Sequence, residues 1–141
     1  MKEKNSNTYT IGLFPMCADI LHAGHILALE EAKKCCDYLI VALNTHPEGK
    51  SPIQSVFERY VQLDSVKWVD RIIPYQGTAD MEKLALSLDY QVRFLGDDYV
   101  DKDWDGKKQE FERGIVPFFI SRRHNFSSTE LKERMVTLAR S

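Results

Sequence analysis

The run YTIGLFPMCADILHAGHI, Tyr9 to Ile26, decides how the rest of the chain is read. Its first half is apolar and β-prone, Pro15 opens a short irregular segment, and Ile26 to Cys36 then shows the apolar spacing of a helix. A strand that passes through a loop into a helix aims free backbone N–H groups, and the positive end of the helix dipole, at one point. That point suits phosphate. His22 and His25 lie three apart around one turn and can face the same anion. Gly24 between them removes a side chain where a phosphate must come close to the backbone. A histidine alone near a helix start is ordinarily a surface or capping residue. The pair with its glycine, between a β run and a helix, points to function.

Outward from this unit, strand and helix alternate. The spacing predicts a first strand over Thr8 to Pro15, a helix over Gly24 to Cys36 with Glu30, Glu31 and Lys34 outward, and a second, continuously apolar strand ending at Leu43. Asn44 to Gln54, with two prolines and a glycine, reads as a loop leaving a strand's carboxyl end and as a mobile lid. Ser55 caps a helix to Val66 whose inward residues read as Val56, Tyr60 and Leu63, with Glu58 and Arg59 outward. A strand over Val69 to Tyr75 follows, then a helix from Met81 to Leu88 capped by Thr78 or Asp80, and a strand over Gln91 to Leu95. Gly96, Asp97, Asp98 and Tyr99 form a turn, Lys107 to Arg113 a short helix, Gly114 to Ile120 a fifth strand, and Ser127, Ser128 and Thr129 cap a last helix toward Arg140. This pattern predicts an α/β fold: a Rossmann-like, doubly wound, five-stranded parallel sheet with helices on both faces, one domain over residues 1–141. Ligands in such sheets bind beyond the carboxyl ends of the strands, where each motif lies.

A chain of 141 residues can bury a core without staples. Its net charge of −2 gives no general affinity for nucleic acid or acidic membranes, so phosphate binding has to be local. The longest apolar runs are too short to span a bilayer, and the N-terminal residues are too polar for a signal peptide. Cys17, Cys35 and Cys36 are odd in number and two are adjacent, against a disulfide framework; the cytoplasm is the expected compartment. Their spacing with His22 and His25 lacks the geometry of a zinc site, and no metal-ligating residue is expected.

Leu21 to His25, with Asp19 three residues before the first histidine, resembles the HxGH signature of the cytidylyltransferases, most closely the small glycerol-3-phosphate type. Further landmarks follow in order. Lys50-Ser51-Pro52 through Glu58-Arg59 is similar to the family's lysine loop and following helix. Val69 to Pro74 resembles its VDEVIP strand, and Gly96 to Tyr99 its GDDW or GEDW turn. Ser127 to Lys132 is similar to the end of its RTEGISTT element, with Arg122 at the arginine position. There are departures: Met16, Cys17 and Ala18 stand where Gly-Thr-Phe is usual, Arg122 to Phe126 replaces Arg-Thr-Glu-Gly-Ile, and Lys67 takes the place of an arginine.

The resemblance implies transfer of CMP from CTP to a phosphorylated alcohol, with glycerol 3-phosphate the first acceptor to try, Mg2+ accompanying the triphosphate, and a homodimer. It implies catalytic roles for His22, His25, Lys50 and Arg122, and nucleotide contacts for Cys17, Ala18, Asp19, Gly24, Gly96, Asp97, Asp98, Ser127, Ser128 and Thr129. Lys67 and Arg59 are the acceptor-side candidates. Asp19 also reads as a capping or orienting residue, Arg59 as a surface ion pair with Glu58, and Lys67 as a surface residue. The attacking phosphate is already a nucleophile at neutral pH, so positioning and charge stabilisation carry the chemistry. The competing readings are adenylyl transfer, another acceptor (phosphoethanolamine, phosphocholine or a sugar phosphate), and an inactive nucleotide-binding module.

Overall fold

The computed structural model describes residues 9–121 and 128–140. Among them, β1 (Ile11–Met16), β2 (Tyr38–Asn44), β3 (Arg71–Tyr75), β4 (Val92–Gly96) and β5 (Val116–Ile120) form one all-parallel sheet in the order β3-β2-β1-β4-β5. The helices are α1 (Ala23–Lys34), α2 (Val56–Asp64), α3 (Gly77–Ser87), α4 (Lys107–Glu112) and α5 (Ser128–Arg140), with a 3-10 turn at Asp97–Tyr99.

β2 explains why both faces are covered. Leu39, Val41 and Leu43 face a core shared with Leu29 and Ala32 of α1 and Leu63 of α2, while Ile40 and Ala42 face Met81 of α3 and Tyr90. With side chains alternating across a strand, a fully apolar strand needs a layer on each side. Burying one such leucine is worth about 1.5–3 kcal/mol.

The sheet opens where the strand order reverses. β1 pairs with β2 over six residues, from Ile11 to Met16, but with β4 only at Gly12 and Leu13. Beyond Leu13 the two strands part, and Pro15, with no N–H to donate, falls in the stretch that has left β4. Such a switch point is where doubly wound sheets hold ligands. Gly12 makes the closed end of the crevice: a Cβ there would lie 2.3 Å from Cε2 of Phe94.

Most predicted elements lie within a few residues of their expected bounds. α3 begins at Gly77 instead of Met81, because Gly77 turns with φ +78° and Asp80 accepts from the Gln76 N–H while Thr78 turns to Asp105. The inward stripe of α2 is Val56, Arg59 and Leu63, not Val56, Tyr60 and Leu63; Tyr60 is exposed and Arg59 buried.

Candidate active site

His22 is the N-cap of α1, and its ring does the capping. Its Nδ1 accepts from the Gly24 N–H at 2.9 Å, and Nδ1 of His25 accepts from the His22 N–H at 3.2 Å. The two residues thus form a reciprocal capping box with imidazoles in place of the usual hydroxyl and carboxylate. A ring nitrogen that accepts carries no proton, so each imidazole keeps its hydrogen on Nε2. The rings stand 4.1 Å apart and both line the cavity at the helix N-terminus. Burial, and next the neighbouring His22, push the His25 imidazole down to about 4 against the opposing pull of Asp19. At neutral pH it is an uncharged Nε2–H donor.

The turn before the helix is held in a rare shape. Ala18 and Ile20 have φ of 56° and 51°, the left-handed region, which is unusual for any side chain and most of all for a β-branched one. Two groups hold it there. Asp19 accepts the N–H groups of Ile53 and Gln54 at 3.0 Å each, and Gln54 in return accepts the Ile20 N–H at 2.7 Å. Arg59, only 1 % exposed, donates to the carbonyls of Cys17, Asn44, Thr45 and Gln54. One guanidinium therefore ties together the ends of β1 and β2 and the start of α2.

A cavity of about 820 Å3 opens above these turns. Of the residues expected at a nucleotide site, Cys17, Ala18, Asp19, His22, Gly24, His25, Lys50, Gly96 and Asp98 line it. Lys50 sits on an exposed stretch of loop whose two ends are held by Arg59 and Asp19. Asp97 is not among the lining residues. Ser128 and Thr129 open α5, while Arg122 and Ser127 lie outside the described residues.

Two of the expected residues lie outside that lining. Arg59 does not pair at the surface with Glu58: it is buried and donates to the carbonyls of Cys17, Asn44, Thr45 and Gln54. Lys67 stands away from the cavity, its Nζ 4.6 Å above the Trp68 ring. The cavity also recruits residues that the sequence reading did not single out: Ser121 after β5, Leu27 and Lys34 along α1, and Lys132 of α5. Leu27 and Lys34 are seven apart on one helix face, a spacing visible in advance; Lys132 closes the landmark that begins at Ser127.

Among the described residues no three His, Cys, Asp or Glu side chains gather to hold a metal, and no helix is long and apolar enough to cross a membrane. The histidine Nδ1 atoms and the Asp19 oxygens are already engaged, and the cavity's other carboxylates are Glu30, Glu31 and Asp98. That set suits Mg2+ arriving on a nucleotide, which takes one or two carboxylates and otherwise phosphate oxygens and water.

The family model described as cytidylyltransferase-like matches residues 13–134, from β1 into α5. The chain belongs to the cytidylyltransferase-like family. It is a nucleotidyltransferase by that membership. It is 30% identical to the glycerol-3-phosphate cytidylyltransferase of Bacillus subtilis (strain 168), over 85% of this chain and 92% of that one. The enzyme of the same name from Staphylococcus aureus is also 30% identical, over 83% and 88%. Among solved structures, the lipopolysaccharide core biosynthesis protein of Thermoplasma volcanium matches this cytidylyltransferase-like chain with a TM-score of 0.65 and 28% identity, over 81% of this chain and 96% of that one.

Proposed function

We propose that this enzyme transfers CMP from CTP to the phosphate of a phosphorylated alcohol, with glycerol 3-phosphate the preferred acceptor, giving a CDP-alcohol and pyrophosphate. The observation that carries the reading is the histidine capping box: both Nδ1 atoms are used inside the turn, and both imidazole rings line the cavity at the helix N-terminus. An acceptor phosphate oxygen attacks the α-phosphorus, a new O–P bond forms, and the bond to the β-phosphate oxygen breaks to release pyrophosphate. Charge builds on the non-bridging oxygens, where His22 and His25 donate. Lys50 and, by resemblance, Arg122, Ser127 and Ser128 hold the β- and γ-phosphates, and Mg2+ supplies further neutralisation when it arrives with the triphosphate. Asp98 and the Gly96 backbone lie toward the ribose or base in this reading.

The choice of CTP and glycerol 3-phosphate is supported by the two relatives of that name, each covered over most of its length. A sugar phosphate acceptor is the second reading, favoured by the likeness to a lipopolysaccharide core biosynthesis protein. A homodimer belongs to the same proposal, and the exposed Phe57, Tyr60 and Val61 on the outer face of α2 support an associating surface. The test is pyrophosphate release with Mg2+ and CTP or ATP, against glycerol 3-phosphate, phosphocholine, phosphoethanolamine and sugar phosphates. Release with CTP and glycerol 3-phosphate is expected; release with ATP alone, or none despite nucleotide binding, overturns the reading.

A further inference from the structure

The turn at Asp19 has a partner from the far end of the chain. Nζ of Lys132 lies 2.8 Å from Oδ2 of Asp19, with the carboxylate side chain 8% and the lysine 33% exposed. Across residues 131–139 of α5, Leu131 and Lys132 are half-buried and the others exposed. The helix is therefore held to the body near its start, and Lys132 is a polar anchor of that contact. The same carboxylate receives the Ile53 and Gln54 N–H groups, at the end of the loop that carries Lys50. Three phosphate-facing elements, the His22–His25 turn, the Lys50 loop and α5, meet at one side chain.

We infer that Lys132 is a positioning residue for nucleotidyl transfer: its pairing with Asp19 cancels a buried negative charge beside the histidines and holds those three elements in one arrangement. The inference rests on the reading of the cavity as a nucleotide site. Without the lysine, Asp19 keeps its backbone N–H donors but loses that cation from the wall that receives a triphosphate, and like charges at short range oppose binding. The cost falls on nucleotide affinity more than on the chemical step.

The experiment measures KM for CTP and kcat for wild type, Lys132→Met, Lys132→Arg, Asp19→Asn and the double variant K132M/D19N, with thermal melts alongside. Lys132→Met is expected to raise KM about tenfold, within the usual range of coupling between sites, with a smaller fall in kcat. Lys132→Arg keeps the charge and stays close to wild type. The double variant is no worse than Asp19→Asn, because the charge that Lys132 cancels has gone. A wild-type KM in Lys132→Met overturns the inference. So does a double variant whose losses multiply, since Lys132 then acts on the phosphates directly. If Lys132→Met does not fold, Lys132→Gln takes its place. If wild type releases no pyrophosphate with any acceptor, the proposed reaction fails by itself, and CTP affinities of the same variants decide the inference by the same pattern.

Discussion

Two polar clusters lie on opposite sides of the sheet, and the contrast between them separates structure from function. Under α4, Glu110 is 1% exposed and accepts from the Tyr90 hydroxyl, from Arg93 at 2.8 Å and from the Trp104 indole at 2.9 Å. Burial, and then the hydrogen bond to Glu110, push the Tyr90 phenol well above its ordinary range. These bonds tie Glu110 to β4 and to the segment around Trp104, and none of the four residues lines the large cavity. At the other cluster, His22 and His25 use one ring nitrogen each to build their own turn and line an open cavity with the rest of their rings. Both clusters are ordered and partly buried. Only the second lines a cavity that a ligand can enter.

The sharpest way to break that comparison is to remove the imidazole Nε2–H groups from the cavity wall. Asparagine is a good N-cap but has no Nε2–H, so His22→Asn keeps the turn while losing the donor. Turnover in His22→Asn and in His25→Ala is expected to fall at least about a hundredfold in a pyrophosphate-release assay. The melting temperature of His22→Asn should stay near that of wild type. Activity retained in both variants would make the histidines capping residues only.

The reverse holds for the other cluster. Glu110→Ala leaves Arg93 buried without its carboxylate and should cost about 3–5 kcal/mol of stability in urea unfolding. KM and kcat of the remaining folded enzyme should stay close to wild type. A selective loss of kcat with stability intact would move Glu110 into the catalytic machinery.

A smaller effect comes from pH. His25 is held at about 4 in the fold and returns to its ordinary 6.5 when the chain unfolds. Between those values the unfolded chain binds the extra proton, so stability is full above about 6.5 and is lost as pH falls toward 4, by up to about 1.4 kcal/mol per pH unit. Replacing His25 with glutamine should flatten the slope of unfolding free energy by one proton's worth, and an unchanged slope would place the titrating group elsewhere.

The smallest effect tests the edge of the site. The Gly96 backbone, φ −67° and ψ 156°, accepts any residue, but a Cβ there would lie 2.5 Å from Oδ1 of Asp98. Gly96→Ala should leave the melting temperature unchanged, displace the Asp98 carboxylate and raise KM for nucleotide severalfold. An unchanged KM would remove Asp98 from the nucleotide contacts.

Much of this architecture is legible in the residues themselves. The continuous apolar run of β2, the alternation of strand and helix, and the two histidines at a helix start all follow from local pattern, because periodicity and capping are local physics. What escaped was set by distance along the chain. Arg59 looks like half of a surface pair with Glu58, and only the folded arrangement brings four carbonyls from three segments around its guanidinium. Lys132 meets Asp19 across 113 positions, and Glu110 gathers partners from β4 and from the segment before α4. The start of α3 was misplaced for a local reason: Asp80 caps backward onto Gln76 from inside the helix, so it is not the boundary residue it resembles.

The central claim is that His22 and His25 are neutral rings whose Nε2–H groups meet a nucleotide phosphate. Nitrogen-15 NMR of the histidine side chains at pH 7, with and without CTP and Mg2+, tests it most directly. The account predicts Nε2-protonated, Nδ1-accepting tautomers for both rings before nucleotide is added, with both Nε2–H resonances shifting on binding. An imidazolium or Nδ1–H form, or resonances that ignore the nucleotide, would contradict it.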